Sequence, residues 1–160
     1  MDLSVSRLVE APPEEVWRAW AEPDYIERWW GPTGFTVPIA RVDLTEGGHT
    51  LVGMRAPDEL GGMTLYNTWT FTAIDRHRSL EYVLHFCDAD GTRLRPADLG
   101  LPAGIPDDGV PHVVTFRPAG DGGTELTVTE RGYTAEEARD TSRLGLEQTL
   151  DKLVALFATT

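Results

Sequence analysis

Apolar and polar residues alternate along most of this chain, and helical stripes bracket the alternation. Leu3 to Glu10 alternates loosely and predicts a first strand. Ala11-Pro12-Pro13-Glu14-Glu15 then opens a helix, because proline fits the first helical turn and the glutamates suit the positive end of the helix dipole. Val16, Ala19 and Trp20 supply the i, i+3, i+4 stripe that buries one face. Trp17 falls off that stripe and is expected at the surface or in an interface. Pro23 interrupts, and a second short helix over about 24–30 presents Ile26, Trp29 and Trp30 before Gly31-Pro32 stops it.

The middle of the chain reads as antiparallel strands. Phe35–Leu44 and Thr50–Met54 flank Glu46-Gly47-Gly48, a hairpin turn. The clearest strand follows Gly61-Gly62: over Thr64–Ile74, Leu65, Trp69 and Phe71 form one face and threonines the other. Asp75–Ser79 turns the chain, and Leu80, Tyr82, Leu84 and Phe86 repeat the period of two. His112, Val114 and Phe116 alternate in the same way, and a glycine-rich turn at 119–123 leads into Leu126-Thr127-Val128-Thr129.

A long helix closes the chain. Thr134-Ala135-Glu136-Glu137 reads as a capping box with Thr134 as N-cap and Glu137 at N3. Ala138, Ser142, Leu146, Thr149, Leu150, Leu153 and Phe157 mark its buried face. Gly145 sits mid-helix, where glycine costs about 1 kcal/mol against alanine; it predicts a close approach by the sheet or by a ligand. The segment from Asp88 to Val110 is too long for a plain connection and carries Leu94, Leu99, Leu101 and Ile105, so it reads as a lid that packs on something.

The order is strand, two short helices, about six to seven antiparallel strands, long helix: an α+β architecture. One helix laid across a curved sheet buries the apolar face of the sheet, and a gap between them makes a cavity. The 160 residues suit one domain, and 41% hydrophobic with 25% charged residues is ordinary for a globular protein. A net charge of −12 argues against nucleic acid as a partner, since phosphate binding needs clustered Lys and Arg. No apolar run approaches the ~18 residues of a membrane span. The N-terminus lacks a basic stretch followed by an apolar one, so a cytoplasmic protein is expected.

Candidate chemistry is sparse. The single cysteine, Cys87, excludes an internal disulfide and reads as a small buried hydrophobe. His49, His77, His85 and His112 show no ligand spacing, so no metal and no cofactor is expected, although His49, His85 and His112 lie on neighbouring strands. No Gly-x-Ser-x-Gly elbow and no phosphate loop appears. His112 shares a strand face with Val114 and Phe116, so its imidazole either points into the interior as a weak catalytic candidate or sits half exposed at the strand start, bonded to the loop.

Several motifs resemble one family: Val16-Trp17-x-x-Trp20, Trp29-Trp30-Gly31-Pro32-x-Gly34-Phe35, Val113-Val114-Thr115-Phe116, Leu126-Thr127-Val128-Thr129-Glu130, and Gly145-Leu146-Glu147-Gln148-x-Leu150-Asp151-Lys152-Leu153. They resemble the heat-shock-protein-90 ATPase activator-like branch of the START-related (SRPBCC) superfamily, over essentially residues 1–160. Leu146 stands where relatives often carry Trp. The resemblance implies a helix-grip fold, with the sheet wrapped around the C-terminal helix and a hydrophobic cavity between them. That superfamily includes lipid carriers, hormone receptors, polyketide cyclases and oxygenase domains, and fold does not dictate function.

Cavity lining is accordingly expected from Trp29, Trp30, Phe35, Asn67, Trp69, Phe71, Tyr82, Leu84, Phe86, His112, Val114, Leu146 and Leu150. The expected activity is binding of an apolar or aromatic small molecule, with Asn67 and His112 as polar anchors. The alternatives are a cyclase- or hydrolase-type enzyme on a hydrophobic substrate, or a stress-linked co-chaperone with a chaperone partner. An exposed Trp17 would also leave a homodimer open.

Overall fold

Thirteen residues from Asp24 to Thr36 carry the chain from helix to sheet, and their aromatic side chains set where the core begins. The computed structural model describes residues 1–158. Strand β1 (Leu3–Val9) leads into three short helices, α1 (Pro13–Val16), α2 (Arg18–Ala21) and α3 (Pro23–Trp29). Strands β2 (Thr36–Arg41), β3 (His49–Arg55), β4 (Thr64–Asp75), β5 (Ser79–Cys87), β6 (Val110–Ala119) and β7 (Gly123–Glu130) follow, and helix α4 (Glu136–Phe157) closes the order.

The seven strands form one antiparallel sheet in the order β1-β7-β6-β5-β4-β3-β2. Every neighbouring pair except β1–β7 is consecutive in sequence, so short turns build the sheet and only the first strand is placed by a distant partner. The register lines up interior residues in rows: Phe71, Tyr82, His112, Glu130 and Leu3 are successive neighbours across five strands. A bulge after Phe71 shifts β4, so that Ile74 rather than Ala73 faces Leu80.

Helix α4 lies on the concave face and buries Ala138, Leu146, Thr149, Leu150 and Leu153. Arg7 on β1 reaches Asp151 at 2.9 Å, and Arg143 donates to the Ser4 carbonyl at 3.1 Å, so both charged groups tie the helix to the edge strand. Under the helix, Trp20, Trp29, Trp69, Phe71, Tyr82 and Val114 fill the core.

Two expectations are corrected at this level. The capping box does not form: Ala135 is the N-cap with no side-chain cap bond, because the Thr134 backbone N–H is already held by the Gly104 carbonyl at 2.9 Å. Trp17 is not a surface residue. It is 4% exposed, because the helix breaks between α1 and α2 and turns its ring onto Phe116 at 5.3 Å and His77 at 5.7 Å. The i, i+3, i+4 stripe of Val16, Ala19 and Trp20, read through that break, assigned it the wrong face, and the argument for a homodimer through an exposed Trp17 falls with it.

Candidate ligand cavity

The tryptophan-rich segment and the C-terminal helix meet at one side chain. Lys152 on α4 donates its ammonium to the carbonyls of Gly31, Trp30 and Phe35, at 3.2, 3.3 and 3.3 Å. Those carbonyls follow the end of α3, where a cation is favoured. Gln148 on the same helix face accepts from the Thr33 backbone N–H at 3.2 Å. Gly31 turns the chain with φ +92, a conformation that a side chain would strain. The loop is thereby held against α4, with Trp30 aimed between helix and sheet. Burial lowers the proton affinity of Lys152 below that of an ordinary lysine.

A cavity of about 150 Å³ lies between α4, this loop and strands β3 to β7. Its lining includes Trp30, Gly31, Pro32, Met54, Asn67, Leu84, Phe86, Ile105, Val110, His112, Glu130, Tyr133, Ser142, Gly145, Leu146 and Thr149. Of the residues expected from the sequence, Trp30, Asn67, Leu84, Phe86, His112 and Leu146 are in this lining. Trp29, Trp69, Phe71, Tyr82, Val114 and Leu150 are buried core behind the wall, and half-buried Phe35 contributes its carbonyl to Lys152 instead. Period-two alternation identifies a face, but it does not say which residues of that face meet α4 and which meet empty space.

Two further lining residues carry polar chemistry that the sequence reading missed, Glu130 and Tyr133, beside Ser142 and Thr149 from the buried face of α4. Glu130 is directly opposite His112 in the β6–β7 register, which only the pairing could reveal. Its Oε2 is 3.4 Å from His112 Nε2, and its Oε1 accepts from the Tyr133 hydroxyl. His112 is 4% exposed, so the half-exposed placement at the strand start is corrected. Its Nδ1 donates to the Val110 carbonyl at 2.9 Å, and its ring stacks on Tyr82 at 4.9 Å. Burial, then the Glu130 charge, push the Tyr133 phenol well above the usual range, so it remains a donor.

Behind this row the aromatic rings form a chain of contacts: Trp20 to Trp29 at 4.7 Å, Trp29 to Trp30 at 5.5 Å, Trp30 to Trp69 at 4.8 Å and Trp69 to Tyr82 at 5.3 Å. Their polar ends are mostly satisfied within the core. Trp29 Nε1 donates to the Ala19 carbonyl at 2.8 Å, Trp20 Nε1 to the Tyr82 hydroxyl at 3.3 Å, and Trp69 Nε1 to Asn67 Oδ1 at 2.8 Å. Trp30 Nε1 is buried and has no partner among the described residues. Asn67 gives its oxygen to Trp69, which leaves the amide nitrogen of a cavity-lining residue without a protein acceptor among the described residues. A partner for the buried Trp30 donor removes a cost of about 1–3 kcal/mol for a group otherwise unsatisfied.

The segment 88–109 is stitched down rather than loose. Leu94 N–H donates to the Phe86 carbonyl, and the Asp108 carbonyl accepts from His85 Nε2 at 2.8 Å. Ile105 brings its side chain to the cavity. His85 has the opposite face parity on β5 from Tyr82, the neighbour of His112, so His85 and His112 do not converge; among the described residues no group of three metal-ligating side chains exists. Cys87 is buried, and its thiol is pushed up to about 11. Gly145 faces the cavity, and a Cβ there would meet only Pro32 Cγ at 3.8 Å, so the sheet does not require this glycine.

A sheet curled around one long helix, with a small cavity under that helix, defines a START-related (SRPBCC) helix-grip domain. The chain belongs to the family described as Activator of Hsp90 ATPase homolog 1-like protein, whose pattern matches residues 10–158. It is similar to the crystal structure of protein Ms6760 from Mycobacterium smegmatis, at 26% identity and a TM-score of 0.76 over 99% of this chain and 91% of that one. It is also similar to an AHSA1-like protein from Aeromonas hydrophila, at 26% identity and a TM-score of 0.69 over 98% and 94%. Protein CV1439 from Chromobacterium violaceum, at 23% identity and a TM-score of 0.78 over 99% and 98%, shares the fold. No curated protein matches the sequence significantly. Among the described residues, no helix is long and apolar enough to cross a membrane.

Proposed function

We propose that this protein binds a small apolar or aromatic molecule of about one ring in the cavity beneath α4. The observation that carries the reading is the cavity of about 150 Å³, mostly apolar in lining, with the Trp30 and Asn67 N–H donors still to be met. An apolar cavity of about that volume holds benzene in another protein, and a long-chain lipid needs several times more. Burial of apolar ligand area, at roughly 25 cal/mol per Å², drives binding before ordering costs. The two free donors orient a ligand acceptor, and Ile105 makes the 88–110 segment the cover. The reading sets the protein in the cytoplasm, where the one buried thiol stays reduced.

The test is a panel of single-ring compounds and fatty acids, read by native mass spectrometry and by NMR of the Trp30 and Asn67 side-chain N–H signals. Ring compounds shift those signals and long-chain acids do not. A panel in which no ring compound binds overturns the reading. The family description supports a second reading, a protein-interaction module acting on a chaperone ATPase. The ATPase rate of a bacterial heat-shock-protein-90 homologue, with and without this protein, separates it from ligand binding.

A further inference from the structure

We propose that His112 and Glu130 form an acid–base pair that interconverts the keto and enol forms of a small enolisable carbonyl compound held in this cavity. The proposal rests on the ligand-binding reading and adds chemistry to the same site.

Proton bookkeeping follows from the donors and acceptors present. The Val110 carbonyl can only accept, so His112 Nδ1 carries a hydrogen at 2.9 Å from it. The Tyr133 hydroxyl donates to Glu130 Oε1. His112 Nε2 and Glu130 Oε2 then lie 3.4 Å apart, an ion-pair contact rather than an aligned hydrogen bond, and the two groups hold one exchangeable hydrogen between them. With none, an imidazole lone pair would face a buried carboxylate; with two, N–H and O–H dipoles would oppose each other. The pair therefore presents one proton acceptor beside one proton donor, and both residues line the cavity.

Other contacts hold the pair in that state. The imidazole is stacked on Tyr82 at an interplanar angle of 16° and cannot turn without losing its bond to Val110. Tyr133 fixes the carboxylate from the opposite side. A group so braced, in a mostly apolar cavity, is placed for proton transfer at little reorganisation cost. A purely structural pair has no such need to border empty space.

The step balances without any further reactant. Glu130 Oε2 takes the α-hydrogen, and the C–H electron pair becomes the C=C bond of the enol. The carbonyl π pair moves to oxygen, which takes the hydrogen from His112 Nε2. Glu130 is left protonated and His112 neutral, and the pair is restored when the two groups, 3.4 Å apart here, close to hydrogen-bond distance and the proton passes from Glu130 to His112 Nε2. The substrate class is a neutral aldehyde or ketone with an apolar body of about one ring, matched to a cavity of about 150 Å³.

Cyclohexanone in D2O is the probe, with loss of its α-hydrogen signal followed by NMR and its binding read from the Trp30 and Asn67 signals in the same sample. We expect α-exchange at least about a hundredfold faster than in buffer, the lower end of the 10²–10⁴ range of positioned acid–base groups. Glu130→Gln and, separately, His112→Gln bring exchange to the buffer rate while the bound-state shifts persist, which also shows that the variants fold. Binding with exchange at the buffer rate in the native protein overturns the proton-transfer proposal and leaves the binding reading standing. Exchange that survives both substitutions also overturns it. No binding of cyclohexanone overturns the proposal, and the ring-compound panel then decides the binding reading separately.

Discussion

The Lys152 ammonium lies 3.2 Å from the Gly31 carbonyl oxygen, so the two most distinctive sequence motifs of the chain are in direct contact. Trp29-Trp30-Gly31-Pro32-x-Gly34-Phe35 ends a helix with carbonyls that need partners, and Gly145 to Leu153 supplies the cation that meets them. The contact also places three cavity-lining residues, Trp30, Gly31 and Pro32.

Replacing Lys152 with Met keeps the aliphatic stem and removes all three donors. We expect a loss of about 1–3 kcal/mol in urea unfolding, the cost of leaving buried carbonyls unpaired. Ring-compound affinity should fall with it, because the Trp30 wall is released. Unchanged stability and affinity would show that the clamp is incidental.

Gly145→Ala should stabilise the protein by about 1 kcal/mol, since the only contact of the new methyl is Pro32 Cγ at 3.8 Å and helix propensity improves. Gly145→Leu should instead fill the cavity and abolish binding of a ring compound while leaving the fold intact by circular dichroism. Retained binding in the leucine variant would place the ligand elsewhere.

His85 makes stability pH-dependent. Burial, and then the Arg93 charge, lower its proton affinity below the usual value of 6.5, and its Nδ1 is buried with no partner among the described residues. An unfolded chain protonates this imidazole near pH 6.5 and the folded one resists until lower pH, so the unfolded state binds more protons between the two values. Stability that is present above pH 6.5 is therefore lost as pH falls from there towards the folded-state value. His85→Gln, compared with the native protein by thermal melts from pH 7.5 down to about 5, should flatten that part of the slope. An identical slope in both would assign the dependence to other groups.

Trp17→Ala should cost about 3–5 kcal/mol in chemical denaturation, as expected for truncating a large buried aromatic side chain. The ring is wedged against Phe116 and His77, and its removal leaves a hole under α1 and α2. A loss under about 1 kcal/mol would mean that the helices close over the space.

The interior of the sheet was legible because alternation is local. Leu80, Tyr82 and Leu84 are buried, as their period of two predicts. The same logic failed at Trp17, where a helix break changed the phase, and at Thr134, where a loop carbonyl took the N–H that a cap would have used. It was silent on Glu130: at the end of a strand, a glutamate reads as solvated until β6 is laid beside β7 and His112 is found opposite.

Local patterning and turn chemistry in the sequence by themselves determined the succession of strands, the antiparallel sheet and the long closing helix, though not the break of the first helix into two. Those features depend on neighbours in the chain and on backbone preferences that each residue carries with it. Only the tertiary structure decided which aromatic rings are wall and which are core, and that one buried carboxylate meets one imidazole at the cavity. Those facts depend on the register between strands and on the volume left under a helix, both set by packing between residues far apart in sequence.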